Sequence, residues 1–394
     1  MITEWRNFTG TTLGWLRSKH WTAVVVRLFV LILITWQVFQ WSSYRAFGDA
    51  PLVDAWPNTD FSRATVDLDE IESGGPPRDG IPAIDRPHFV STGKAARWLN
   101  QDEPVIVLEI GRDARAYPLQ ILIWHEIVND TVAGLPVAIT FCPLCNASVV
   151  FERQLDAKML DFGVTGRLRR SDMIMYDRQT ESWWQQFTGE GIVGEYAGRQ
   201  LKEFPSRIVA FQHFREQHPE GKVLSRRTGY ARAYGKNPYH GYDSLKQGPL
   251  LLPGEVDDRL PPMERVIAVR TEYAMRLYPF SRLREKRVVN DQVGNEPIVV
   301  FSRPGTLSVL DAGAIRESRR VLSATAYSRR TEAGVLTFEQ IDGRFIDRET
   351  GTSWNLMGKA INGPLAGVQL VPMPGGVHFA FAWLAFRPET SIFP

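Results

Sequence analysis

VIVLEIGRDARAYPLQILIWHEIVND, residues 105–130, has a second version in the same chain: VIAVRTEYAMRLYPFSRLREKRVVND, residues 266–291. Both run from a short apolar strand through Tyr-Pro (Tyr117-Pro118, Tyr278-Pro279) to Val-Asn-Asp (Val128-Asn129-Asp130, Val289-Asn290-Asp291) at identical spacing. The match resumes downstream, where Tyr176-Asp177-Arg178-Gln179-Thr180 with Trp184 is echoed by Ile346-Asp347-Arg348-Glu349-Thr350 with Trp354. Self-similarity in fixed order at a separation of about 160–170 residues is too long for a solenoid and reads as two related domains.

Around these blocks the pattern is strand, turn, strand. Val105–Ile110, Val137–Phe141, Val149–Arg153, Leu160–Val164 and Met173–Tyr176 are apolar runs bounded by Gly, Asp or Pro. No long 3.6-period run separates them, which argues against a βαβ parallel sheet. The expected fold is mainly β: two duplicated, mostly antiparallel β domains at 103–219 and 262–394, joined by a connector at 220–261 and preceded by an irregular lead-in at 42–102. The last apolar run, Phe379–Phe386, is read as a strand. Ser91 to Leu99 reads as a short helix.

The copies act as an internal control, because what both keep is scaffold and what one keeps alone is a candidate for chemistry. In the first copy Pro136 to Phe141 leads into Cys142-Pro143-Leu144-Cys145; in the second, Pro297 to Phe301 leads into Ser302-Arg303-Pro304-Gly305, which sets Ser302 against Cys142. Counting from Tyr-Pro, His125 falls opposite Lys286 and Glu126 opposite Arg287. Shared Asp177-Arg178 and Asp347-Arg348 read as turn-closing ion pairs, and Trp183-Trp184 as core. The scattered His213, His218 and His240 lack metal-ligand spacing.

Three readings of the chain's 2 cysteines compete. A thioredoxin-type site needs the pair to open a helix, whose N-terminus lowers the thiol pKa, whereas Asn146 to Phe151 reads as a turn into a strand. A soft-metal site, copper above all, would use Cys142, Cys145 and His125 with a thioether from Met173 or Met175. The third reading, and the expected one, is structural: a Cys142–Cys145 disulfide or two buried thiols beside a tight turn.

The N-terminal part is apolar in a different way. Ala23 to Trp41 supplies about the 20 residues needed to cross a bilayer. Trp21, Trp36 and Trp41 lie near its ends, where indoles favour the interface. Arg6, Arg17, Lys19 and Arg27 precede or open the span, against Arg45 with Asp49 and Asp54 after it, so residues 1–22 are expected in the cytoplasm. Gln40-Trp41-Ser42-Ser43-Tyr44 is a poor cleavage site, so 23–41 is expected as a retained anchor. That puts the bulk of a bacterial inner-membrane protein in the periplasm.

A net charge of +2 with no basic stripe gives no nucleic-acid surface. Phosphate-loop, dinucleotide and Gly-x-Ser-x-Gly signatures are missing from the sequence. Asn146 after Cys145 excludes a Cys-x-x-Cys-His haem attachment.

Gly80-Ile81-Pro82-Ala83-Ile84, Trp124-His125-Glu126-Ile127-Val128-Asn129-Asp130, Phe141-Cys142-Pro143-Leu144-Cys145-Asn146 and Arg232-Ala233-Tyr234-Gly235-Lys236-Asn237-Pro238-Tyr239 resemble the bacterial family of unknown function DUF3179. The resemblance runs from residue 74 to about residue 245 and implies an extracytoplasmic protein. The anchor and the degenerate copy lead to an expected role as an accessory subunit of a larger membrane assembly, photosynthetic or respiratory. Its partners would be other membrane subunits and the bilayer, met through Trp5, Phe8 and Trp15 of the tail and Tyr230, Tyr234, Tyr239 and Tyr242 of the connector. The rival expectation is a periplasmic protein handling copper, another soft metal or thiol–disulfide exchange.

Overall fold

The computed structural model describes residues 55–394, which belong to one compact unit. The expected span at 23–41 and Trp5, Phe8 and Trp15 lie outside the described residues. Among the described residues no helix is long and apolar enough to cross a membrane.

The architecture is mainly β. The first half opens with β1 (Pro104–Ile110), β2 (Asp113–Pro118), α1 (Leu119–His125), β3 (Ile127–Val132), β4 (Leu135–Cys142) and β5 (Ala147–Glu152). It continues with β6 (Phe162–Arg169), β7 (Asp172–Asp177), β8 (Trp183–Gln185), β9 (Arg207–Ala210), α2 (Phe211–Gln217) and β10 (Lys222–Leu224). The second half lists the same order: β11 (Arg265–Arg270), β12 (Met275–Pro279), α3 (Phe280–Glu285), β13 (Val288–Val293), β14 (Glu296–Leu307) and β15 (Arg320–Ser328). Then follow β16 (Phe338–Ile341), β17 (Arg344–Asp347), β18 (Ser353–Trp354), β19 (Gly375–Phe379), α4 (Ala380–Phe386) and β20 (Ser391–Ile392).

The registers agree as well as the order. Val105 pairs Pro118 and Val266 pairs Pro279; Val128 pairs Ile139 and Val289 pairs Val300. In each half a late strand returns antiparallel to the first (β9 on β1, β19 on β11) and a last strand runs parallel to the second (β10 on β2, β20 on β12). Side-chain networks repeat too. Arg115 and Tyr117 converge on Asp130 at 2.7 and 2.6 Å, as Arg276 and Tyr278 do on Asp291 at 2.8 and 2.7 Å. Asn129 brackets the backbone of Phe162, and Asn290 that of Phe338.

Alternate side chains of one strand serve different cores, which is why these strands read as unbroken apolar runs. Val105 and Val107 enter one cluster and Ile106 and Leu108 another. The first of these also takes Val299, Phe301 and Tyr327 from the second half, and the other takes Val266, Ala268 and Trp383. The closing strands cross over: β19 lies beside β5, where Phe379 N donates to Cys145 O at 2.9 Å, and β9 lies beside β15, where Ala210 N donates to Ser323 Oγ.

Three expectations need correction. Residues 380–386 form helix α4, not a strand; a short run that is apolar on every side fits a buried helix as well as a buried strand. The register places Ser302 opposite Phe141 and Arg303 opposite Cys142, since the amide of Phe141 donates to Glu126 O and that of Ser302 to Arg287 O. Asp177 closes its turn on Thr180 and Trp184, not on Arg178, which reaches Asp85 at 2.5 Å instead.

Candidate functional site

The Cys-Pro-Leu-Cys block is the tight connection between β4 and β5. Cys142 pairs with Ala147, Asn146 N donates to Pro143 O, and Asn146 takes a left-handed φ of 47° so that the chain can turn straight into β5. Neither sulfur sits at a helix start. Both cysteines are free thiols, so the expected disulfide is not formed here, and they are 1% and 0% exposed.

What covers them comes from the tip of the β6–β7 hairpin. Arg170 and Ser171 form its two-residue turn, both at positive φ (52° and 65°), a conformation that costs residues bearing a Cβ about 1–2 kcal/mol each. Ser171 O accepts from Cys145 Sγ at 3.5 Å and Cys142 Sγ at 3.9 Å. Arg170 fastens the turn to the second half through a 2.7 Å bond to Ala385 O of α4.

Asp172, the next residue, completes the group. One ligand atom from each of Cys142, Cys145 and Asp172 lies within 4.8 Å of the others, and all three residues are buried. Asp172 Oδ2 accepts from Gln185 Nε2 at 2.7 Å and Phe187 N at 2.9 Å, while Oδ1 is buried without a hydrogen-bond partner. Burial pushes the Asp172 carboxyl up to about 6 and raises both thiols above their ordinary range. Both thiols are therefore neutral at neutral pH. Two sulfurs and a carboxylate oxygen are a ligand set for a soft or borderline ion. Met173 and Met175 belong to the same core cluster as the thiols.

His125 is not part of this group, contrary to the expected Cys142, Cys145 and His125 trio. Its Nδ1 meets Pro82 O at 2.7 Å and its Nε2 meets Tyr234 Oη at 2.7 Å. A carbonyl only accepts, so Nδ1 carries the proton and Nε2 accepts from the phenol. Burial depresses His125 to about 4. Glu126 takes the strained position at the end of α1 (φ 57°), and its Oε1 accepts from Tyr239 at 3.4 Å. Burial pushes Glu126 up to about 8, so it is protonated at neutral pH.

The expected partner surface also turns inward. Tyr234 is bonded to His125, Tyr239 to Glu126, and Tyr242 is 5% exposed; of the four connector tyrosines Tyr230 is the exposed one, at 44%. Their spacing in a Gly- and Pro-rich stretch looked like a loop surface, but the stretch is pinned by Trp124 Nε1 to Lys236 O and by Asn237 N to Gly313 O.

Sequence reading missed Asp172, although the copies carried its signal. The β6–β7 hairpin spans Phe162 to Asp177, sixteen residues, where β16–β17 spans Phe338 to Asp347, ten. The six extra residues extend the tip that bears Ser171 and Asp172. Cysteines and carboxylate alike thus sit on features that the second half lacks.

The family described as "Protein of unknown function (DUF3179)" matches residues 78–390, and the chain belongs to that family. The match runs past residue 245 through most of the second half, so both halves are part of the family's unit. No curated protein and no solved structure matches the chain.

Proposed function

We propose that this DUF3179 protein holds a thiophilic metal ion, of the copper or zinc class, in the closed centre of Cys142, Cys145 and Asp172. The observation that carries this reading is the convergence of two buried sulfurs and a buried carboxylate oxygen, one ligand atom from each of the three residues within 4.8 Å of the others. Binding replaces the thiol protons, so affinity rises with pH. Gln185 and Phe187 N fix the carboxylate through its other oxygen, the kind of outer support that metal ligands use. Thiol–disulfide exchange has less support, because both sulfurs are covered.

In the same reading residues 23–41 anchor the chain in a bacterial inner membrane with residues 45–394 in the periplasm, and the two halves are copies of one ancestral unit, the second kept as scaffold. X-ray absorption at the edge of a bound copper or zinc ion is the test of the centre. Two sulfur scatterers, at about 2.3 Å for zinc, are expected, with their loss in Cys142→Ser; a shell of nitrogen and oxygen alone contradicts the assignment. For the anchor, protease added to spheroplasts is expected to digest the large part and spare the tail. Protection of the large part contradicts the topology.

A role as subunit of a photosynthetic or respiratory assembly is the second reading. It is favoured by Leu245, Leu250 and Leu251, exposed at 58%, 54% and 42% close together on the connector. Mild detergent extraction followed by sizing tests it, and migration as a lone 44.7 kDa chain counts against it.

A further inference from the structure

Where the first half buries Cys142, the second half opens a cavity of about 350 Å³ beside Arg303. Three features mark it as a binding site. The first is unpaired positive charge. Arg303 Nη2 donates to Gly343 O at 2.9 Å and its guanidinium lies 4.9 Å from the Phe345 ring centroid, but its Nε is buried without an acceptor. Arg344 lines the same cavity, and neither arginine forms a salt bridge among the described residues, although the Glu216 carboxylate acts on Arg303 through space. Most other buried arginines here are paired, as Arg115 is with Asp130 and Arg265 with Asp243.

The second feature is that the cavity is built by both halves. His213 comes from α2 of the first half, Arg303 and Arg344 from β14 and β17 of the second. One acidic side chain, Glu216, also lines it; its carboxylate is 3.7 Å from His213 Nδ1 and its side chain is 68% exposed, on the solvent side. The third feature is size. A few hundred Å³ suits a small molecule rather than a peptide.

We infer that this cavity binds a small oxyanion, a carboxylate or a phosphate monoester, through Arg303 and Arg344. A guanidinium presents parallel N–H donors that match such an oxyanion. Trp354 and Ile361, also in the lining, give the non-ionic part of the ligand an apolar wall.

The site is independent of the metal centre, so its test uses metal-free full-length protein. Isothermal titration calorimetry with inorganic phosphate and with succinate, at constant ionic strength, is expected to show binding of at least one of them. Whichever binds assigns the class. Affinity should fall by about tenfold or more in Arg344→Gln and in Arg303→Gln, and stay unchanged in Arg330→Gln. Arg303 packs on Phe345, so if Arg303→Gln does not fold, the exposed Arg344→Gln decides alone. Failure of both anions to bind the wild type, or wild-type binding by Arg344→Gln, overturns the inference.

Discussion

Cys142 and Arg303 occupy the same register on β4 and β14, and each donates to the backbone carbonyl at the tip of the following hairpin: Cys142 to Ser171 O at 3.9 Å, Arg303 to Gly343 O at 2.9 Å. The backbone problem is shared and the reagent is not. In the first half the long β6–β7 hairpin reaches over the strand end, carries Asp172 to the thiols and seals them. In the second the hairpin is shorter, and the position stays open beside a cation. The comparison teaches that one scaffold yields either a closed soft centre or an open charged pocket, depending on six residues of hairpin and one side chain.

The scaffold networks give the largest expected effects. Arg115→Met leaves Asp130 buried without its guanidinium, its side chain 6% exposed, and is expected to cost about 4 kcal/mol. The counterpart Arg276→Met breaks a pair in which the arginine is 31% exposed and is expected to cost about 1 kcal/mol. Urea midpoints measure both. Equal losses would mean that the difference in burial between the two pairs carries no energy.

Asp177→Ala and Asp347→Ala sharpen the comparison in the opposite sense. Each carboxylate accepts from an indole at 2.9 Å and a threonine amide at 2.7 Å, from Trp184 and Thr180 or from Trp354 and Thr350. Each loss is expected at about 3 kcal/mol, with the two alike. A large loss in one half and none in the other would break the correspondence.

A smaller effect separates the halves by pH. Burial raises Glu126 from 4.5 to about 8, so the folded chain keeps a proton that the unfolded chain gives up. That stability is present below 4.5 and lost as pH rises towards 8. Asp172, raised from 3.8 to about 6, acts the same way in a lower window. His125, lowered from 6.5 to about 4, acts in reverse, its contribution present above 6.5 and lost as pH falls towards 4. Between about pH 6.5 and 8 Glu126 is the one of these three that still titrates. Metal-free wild type is expected to lose stability across that window and Glu126→Gln to lose less. Arg287 holds the equivalent position in the second half. Thermal melts at several pH values measure the difference, and identical slopes would remove Glu126 from the account.

Much of this was legible in the sequence, for physical reasons. Tyr117, Asp130 and their counterparts are spaced by backbone register, and register is conserved when the turns between strands are. The cysteine turn was legible because Asn146 and a β-branched run exclude a helix after it. Asp172 was not, since a hairpin closes its contact with Cys142 from thirty residues away and only hairpin length betrays it. Tyr234 and Tyr239 were misread as surface because a loop rich in Gly and Pro gives no sign that it is tied down to His125 and Glu126.

The central claim, that metal chemistry belongs to the first half alone, is tested by metal content. Full-length protein loaded with zinc or reduced copper, then freed of loose ions, is assayed by mass spectrometry for metal per chain. One ion is expected in the wild type and in Arg303→Ser, and its loss in Cys142→Ser, Cys145→Ser and Asp172→Asn. A metal-free wild type, or an ion retained after both cysteines are replaced, would contradict it.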